Sequence, residues 1–502
     1  VKKPIRSQSG VAVITLLLKP YSCPGRCIYC PTESSMPKSY LQKEPAAQRA
    51  FNLEFNPFLQ VVTRLLMLYR NGHNVNKAEI IIDGGTWSNY PKKYRDSFVS
   101  LIFIACNLFT PKVAEKLIEY RKDEQIKDLL CSDDSISEFF DVDFNELKAK
   151  KLRELQKVNS LSYVRIVGLS IEERPQTYAF NGSITINAKL MVKSLRKYGV
   201  TKIQLGIQSL NDRILKLNKR DCTKRDILIA TEFLRVNGFK LNVHIMQNLL
   251  GATVKSDLQD YKELMRVIMP DEVKIYPTVL FKNTELYNEY LNGNYKQYSF
   301  EELVELIIKM KSITPKFVRI NRIFRDLPTE YMQGVKIPSN IREYVQREMK
   351  LRGLSCNCVR CRQVKSAVID PKRLKFLIMK YRTGGGINYF LQYLSNKNEL
   401  LGLLRLFIPS NKIHDLMLNS IRGCAIIREV HVYGITTEFA KQGNVQHLGL
   451  GRKLITKAEK IAQGEGCTNL SVIAGIGTQE YYSKLGYKLV GDNFMKKNIE
   501  VR

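Results

Sequence analysis

The sequence predicts an α/β protein in two parts. A partial (β/α) barrel covers residues 1–325, and a mixed α/β domain covers 371–502, joined by a cysteine-bearing, metal-binding connector over 326–370. Three observations predict it. Apolar runs of strand length alternate with segments of helical period from residue 10 to 325, the rhythm of βα units around a parallel sheet. A cysteine-rich loop follows the first run, at the carboxyl end where α/β barrels gather their sites. From about residue 375 the rhythm changes to strands with one strongly helical segment among them.

The first strand is VAVITLLL (11–18), stopped by Lys19-Pro20. AEIIID (78–83), YVRIVGLSI (163–171), KIQLGI (202–207), FKLNVHIM (239–246), EVKIYP (272–277) and FVRINR (317–322) follow. Helical segments lie between them at 57–71, 91–106, 185–198, 223–237, 256–269 and 300–312. Residues 112–160 break the rhythm with charged helical sequence, which predicts a solvated insertion on the barrel's periphery. In the second part LGLLRLFIP (401–409), CAIIREVHVYGI (424–435) and NLSVIAGI (469–476) read as strands, and 451–466 as a helix. Val1 lies a few residues before the first strand, so an upstream segment is expected to be missing.

Apolar residues make up 44% and charged residues 25% of the 502, which is ordinary for a soluble chain. No apolar stretch is long enough to span a bilayer and no signal peptide is visible, so a cytoplasmic protein with no membrane partner is expected. Lys and Arg total 79 against 48 Asp and Glu, a net charge of +31 that exceeds what solubility needs. A polyanion, nucleic acid first, is the partner this charge predicts. Six of the eleven cysteines fall into two tight groups with metal-like spacing, which argues against a disulfide framework. Cys106, Cys131, Cys222, Cys424 and Cys467 are scattered and read as buried thiols.

Cys23, Cys27 and Cys30 form C-x3-C-x2-C, with Tyr29 before the last cysteine. Three thiolates can hold a [4Fe–4S] cluster and leave one iron open to chelate S-adenosylmethionine (SAM), the radical-SAM arrangement. A structural zinc knuckle is the competing reading, but zinc sites close with four ligands and no fourth Cys or His lies nearby. Gly84-Gly85-Thr86 ends the next strand, where glycines let the backbone approach the SAM amino group. Ser170, Glu172 and Gln208, at further strand ends, are candidate contacts to SAM's ribose and amino acid.

The second part carries Gln446-His447-Leu448-Gly449-Leu450-Gly451-Arg452, a Q-x-x-G-x-G loop opening a helix. Backbone N–H groups there form a pyrophosphate cradle, the acetyl-CoA loop of GNAT-type acetyltransferases. Two flanking features support this reading. The strand Glu429-Val430-His431-Val432 precedes the loop and offers backbone to the pantetheine arm. The segment Tyr481-Tyr482-Ser483-Lys484-Leu485-Gly486-Tyr487 follows it and places Tyr482, or Tyr481, near the coenzyme sulfur. A phenol there can protonate the leaving thiolate, although aromatic packing also explains these tyrosines. In the connector Cys356, Cys358 and Cys361 make C-x-C-x2-C, soft ligands that suggest structural zinc; a second cluster or free thiols are the alternatives.

A radical-SAM barrel followed by an acetyltransferase-type domain is a rare pairing, and the chain is identified as a member of the Elongator protein three family. The resemblance covers nearly the whole chain, through CPGRCIYCPT, GHNVNKAEIIIDGGTWSNYP, GLSIEERP, GIQSLNDRILKLNKR, VKIYPTVLFKNTELY, IIREVHVYG, QHLGLGRKL and GIGTQEYYSKLGY. The connector cysteines and the short cysteine loop resemble the bacterial and archaeal branch, in which accessory Elongator subunits are not required. The resemblance implies a tRNA-modifying acyltransferase acting on the anticodon stem-loop. It would convert the wobble uridine to 5-carboxymethyluridine with acetyl-CoA, SAM and water, hydrolysing acetyl-CoA when tRNA is bound. It further implies that Lys77 contacts acetyl-CoA across the domain boundary, and that Glu429 to Val432, Leu450 to Arg452 and Tyr482 line the coenzyme. A homodimer is compatible with this reading. A protein lysine acetyltransferase with a structural cluster is the alternative; it needs an acidic patch for basic tails, which +31 disfavours. Two segments depart from the family pattern at strand ends expected to face SAM. Glu173-Arg174-Pro175-Gln176 lacks the acid of E-T-R-P-D, and Met246-Gln247-Asn248-Leu249-Leu250 stands where the family resembles M-P-D-L-P. The family's basic N-terminal segment is absent or very short here, which implies weakened tRNA binding.

Overall fold

A computed structural model describes residues 10–120, 122–364, 373–433 and 449–500. The apolar runs become strands β1 (Ala12–Leu17), β2 (Lys77–Asp83) and β3 (Arg165–Glu173), then a small hairpin of β4 (Ala179–Phe180) and β5 (Ser183–Ile184). β6 (Lys202–Gln208), β7 (Lys240–Gln247), β8 (Glu272–Pro277) and β9 (Arg319–Ile323) complete the first sheet. Its order is β1-β2-β3-β6-β7-β8-β9, and every neighbouring pair is parallel, the half-barrel predicted. Helices close the outside of this sheet, and their ends are set by local chemistry. Asn56 accepts hydrogen bonds from the Phe58 and Leu59 N–H groups to start Pro57–Arg70. Thr223 with Asp226, and Ser299 with Glu302, form capping boxes on Lys224–Val236 and Phe300–Ile313.

The second sheet has β10 (Lys375–Thr383), β11 (Gly386–Leu394), β12 (Leu400–Pro409), β13 (Ala425–Val432), β14 (Asn469–Val472), β15 (Lys488–Val490) and β16 (Phe494–Asn498). Its order is β10-β11-β12-β13-β14-β16-β15, with only β13 and β14 parallel. That pair holds register for Ala425 to Ile427 alone, so the rest of β13 has a backbone edge that β14 does not cover. A register shift between β12 and β13 at Arg405/Leu406 leaves Arg428 as the extra residue of a bulge.

The sheets are joined by buried polar contacts. Arg428, 3% exposed, pairs with Asp271 and donates to the Phe239 carbonyl. Arg405 donates to Glu429 at 2.7 Å and to the Phe317 carbonyl at 2.7 Å. The connector is stitched to both sides, with Val359 N–H on the Val318 carbonyl and Val364 N–H on the Leu400 carbonyl.

Two expectations need correction, the strand at 469–476 and the burial of the scattered cysteines, of which Cys131 is exposed and Cys467 half-buried. Residues 112–160 fold as short helices between β2 and β3 that are mostly exposed, with Ala114, Leu117, Ile126, Ile136, Phe144 and Leu155 anchoring them in the main core. Their polar stretches concealed one apolar residue per turn. The strand expected over 469–476 stops at Val472, because the chain then leaves the sheet to pack on the barrel. A Cβ on Gly475 would stand 2.2 Å from the Val167 carbonyl oxygen of β3, so the approach there is backbone to backbone. No helix of the described residues is long and apolar enough to cross a membrane.

Candidate active site

The cysteine loop leaves β1 at its carboxyl end and is held by two arginines. Arg174 Nη1 lies 3.9 Å from both Cys23 Sγ and Cys27 Sγ, and Arg220 Nη1 lies 3.6 Å from Cys27 Sγ. These cations hold the Cys27 thiol below its usual range even though burial opposes them, whereas burial pushes Cys30 up to about 12. Arg174 lies directly over Gly25, where a Cβ would stand 1.7 Å from its Nη1 and push the guanidinium aside. Among the described residues the sulfurs of Cys23, Cys27 and Cys30 do not crowd within 4.8 Å of one another, while those of Cys356, Cys358 and Cys361 do. Wide-set thiolates flanked by cations fit a cluster ligated at separate irons better than one small ion, so the donor set fits [4Fe–4S].

Beside this loop the first glycine of the Gly-Gly turn comes close to the backbone of Leu18. Gly84 has φ +121°, and a Cβ there would lie 2.9 Å from Leu18 N. The side chain that pins the turn is Glu172: its Oε2 accepts from Gly84 N–H at 3.1 Å, Gly85 N–H at 3.3 Å and the Tyr40 hydroxyl at 2.9 Å. Burial, with Asp83 nearby, pushes the Glu172 carboxyl up to about 7. Gln208 sits at a register shift with φ +69°, a strained position for a side chain that lines the same cavity. Thr86 is buried, and Ser170 is buried with its hydroxyl unpartnered. Of the two departures, Gln176 lies outside on the Asp221 carbonyl, while Asn248 holds Tyr295 and the Tyr298 N–H at 2.8 Å. Asn248 therefore braces a loop.

The feature that the sequence reading missed is the barrel's interior. A cavity of about 830 Å³ runs from Cys30 and Glu172 to Glu429, His431 and Tyr433 of the second sheet. Its lining mixes apolar side chains such as Val13, Ile81 and Phe281 with charged ones that form an ion lattice. Lys202 pairs with Glu79 and Glu272, and Lys240 pairs with Glu272 at 2.7 Å and Glu429 at 2.6 Å. Lys240 and Arg405 hold Glu429 down at about 2 despite its burial.

In the second domain Gly449 caps the helix Leu450–Gly464 in left-handed conformation. A Cβ on Gly451 would lie 3.1 Å from the Tyr481 hydroxyl and 3.9 Å from Val432, so these three stand together at the helix N-terminus beside the uncovered edge of β13. Leu450 is buried beneath it, and Arg452 lies close enough to act on Tyr481 electrostatically. Tyr482 is 7% exposed and packs into the apolar core against Tyr487, whereas Tyr481 is 42% exposed with its hydroxyl beside Gly451. Val430 packs against the same core. Gln446 lies outside the described residues. Lys77 begins β2 beside Arg165, which Gly477 of the second domain meets closely; burial holds its ammonium below its usual range.

Cys356, Cys358 and Cys361 converge at the seam between the sheets. Lys311, fully buried, puts its ammonium 3.7 Å from Cys361 Sγ. Three thiolates on a divalent ion carry one net negative charge, which this lysine offsets, so the set fits three of zinc's four positions, and among the described residues no fourth Cys, His or acidic ligand joins it. Cys358→Ser is expected to lower zinc content, read by metal analysis, and the thermal midpoint with it; a metal-free wild-type chain of equal stability would refute this.

Residues 19–264 match the Radical SAM superfamily and residues 270–351 its C-terminal domain. The tRNA uridine(34) acetyltransferase of Methanocaldococcus infernus is 36% identical over 98% of this chain and 86% of its own length. That of Dehalococcoides mccartyi is 33% identical over 100% of both. Human Elongator complex protein 3 is 30% identical over 98% of this chain and 85% of its own. Among solved structures, archaeal Elongator protein 3 of M. infernus lacking residues 1–46 superposes with a TM-score of 0.77 at 32% identity, covering 97% of this chain and 99% of that one.

Proposed function

Because this chain belongs to the Elongator protein three family of radical SAM proteins, we propose that it is an acyltransferase that modifies the wobble uridine of tRNA. The observation that carries the reading is the single cavity of about 830 Å³ reaching from the cysteine loop to β13. A radical made at one end needs a closed, water-limited path to an acetyl group at the other. When bound, a [4Fe–4S] cluster with SAM supplies a carbon radical able to take hydrogen from an unactivated methyl. The chain's residues do the rest. Cys23, Cys27 and Cys30 ligate, and Arg174 and Arg220 balance the thiolate charge. Gly84, Gly85, Thr86 and Gln208 approach SAM, with Glu172 fixing the turn. Backbone of Glu429 to Val432, Gly449 to Arg452 and Lys77 hold acetyl-CoA. The finer reading is 5-carboxymethyluridine as product, with tRNA-stimulated acetyl-CoA hydrolysis. The charge of +31 favours an anticodon stem-loop as partner.

The test is reconstituted enzyme with tRNA, acetyl-CoA and SAM under anaerobic reducing conditions, read by nucleoside mass. Carboxymethyluridine is expected; its absence, together with acetylated lysine in added basic peptides, would favour the protein acetyltransferase. The two tyrosines give a second check. Tyr481→Phe is expected to slow tRNA-stimulated hydrolysis by about 100-fold, as loss of a general acid does, and Tyr482→Phe by much less. The reverse ranking would place the acid at Tyr482.

A further inference from the structure

Inside the barrel, two side chains of β7 stand apart from the ion lattice. Asn242 and His244 alternate along that strand and both line the cavity. Asn242 is 1% exposed and His244 8% exposed. Neither Asn242 Oδ1 nor His244 Nε2 has a hydrogen-bond partner. Their polar neighbours are already saturated. Gln204, opposite Asn242 on β6, donates to Asp83 at 2.8 Å and accepts from Lys274. Glu272, opposite on β8, takes Lys202, Lys240 and Asn321. A buried amide oxygen left open among satisfied groups is costly. Such atoms on a cavity wall are where a ligand's donors go. Burial, reinforced by Lys274 and Arg325, keeps His244 neutral, so its Nε2 can carry a proton without bringing a charge.

We infer that Asn242 and His244 read the Watson–Crick edge of a uracil base flipped into the barrel, which makes them specificity-determining residues. The inference rests on the functional reading above and names the part of the cavity that selects the base. Uracil presents acceptor, donor and acceptor at O2, N3–H and O4. The Asn242 amide matches O2 and N3–H, donating through Nδ2 and accepting through Oδ1. His244 Nε2–H donates to O4. Cytosine offers two adjacent acceptors, O2 and N3, and an amide that donates to one sets its oxygen against the other. The wall therefore accepts uridine and rejects cytidine. Flipping a base into a pocket that reads this edge is the general solution for chemistry on a base.

The test uses the full chain, SAM and anticodon stem-loops carrying uridine, 3-methyluridine or cytidine at the wobble position, with affinity read by fluorescence anisotropy. Wild type is expected to bind the uridine form about tenfold tighter than the other two, the discrimination of one bidentate pair. Asn242→Leu is expected to bring all three within about twofold while the phosphate-driven salt dependence stays. Equal wild-type binding of the three, or discrimination that survives Asn242→Leu, overturns the inference and needs no folding defect to explain it. Binding of none of the stem-loops overturns the functional reading, and this inference with it.

Discussion

Replacing Cys27 with alanine is expected to abolish uridine modification and leave acetyl-CoA binding intact. Three cysteines are the minimum that leaves one iron open for SAM, so removing one removes the cofactor. Cys27 is the strongest choice because both arginines meet it: Arg174 at 3.9 Å and Arg220 at 3.6 Å. The check is iron content and visible absorbance after anaerobic reconstitution, with nucleoside mass alongside. Cys222→Ala is the control. Cys222 is 8% exposed and near enough to Arg220 and Arg174 to feel their charge, yet it sits outside the loop. Reconstituted Cys27→Ala carrying full cluster and activity, or Cys222→Ala losing both, would redraw the ligand set.

Much of this site was legible because its signals are local. An apolar run, a Lys-Pro stop and three spaced cysteines fix a strand and a loop without knowledge of the rest. The polar barrel interior was equally present, as a period-two pattern in Lys202/Gln204, Lys240/Asn242/His244 and Glu272/Lys274. Strands of a parallel sheet covered on both faces are apolar throughout, so that alternation marked a hollow polar lumen. Polar residues lower a segment's resemblance to a strand, so the same alternation that lines the lumen weakens the local strand signal. β10 and β11 were missed for a different reason. β10 exposes Leu377 and Ile378 while Phe376, Met379 and Tyr381 pack against the cores, so its apolar residues fall on both faces and no alternation marks the strand. The sequence reading puts Tyr482 ahead of Tyr481, but adjacent helical residues differ by about 100° in direction and the motif does not give the phase, so it could not foresee that Tyr482 is the buried one.

The seam between the sheets depends on a charge that no motif announces. Asp271→Asn is expected to destabilise the chain by about 3–5 kcal/mol, the range for breaking a buried pair by removing one partner. Asp271 is 1% exposed. It meets Arg428 on Oδ1 at 3.1 Å and again on Oδ2, lies 3.5 Å from Arg405, and accepts from the Leu241 N–H at 2.8 Å. The amide keeps the shape but leaves Arg428 with no carboxylate partner among the described residues and Arg405 with Glu429 alone. Calorimetry should show a lower unfolding temperature or a second domain melting apart, and an unchanged single transition would refute the role. The same lattice fixes the acid limit. Arg428 and Arg405 hold Asp271 below the usual carboxylate range, and Lys240 and Arg405 hold Glu429 down at about 2. Folded values below unfolded ones contribute stability that is fully present above the ordinary carboxylate range. That stability is lost as pH falls through the folded values, so the domains should separate only in strong acid. Because Glu429 ties Lys240 of the barrel floor to the strand proposed to hold acetyl-CoA, loosening the seam should also uncouple the two half-reactions. In Asp271→Asn, acetyl-CoA hydrolysis should lose its stimulation by tRNA before it loses its basal rate.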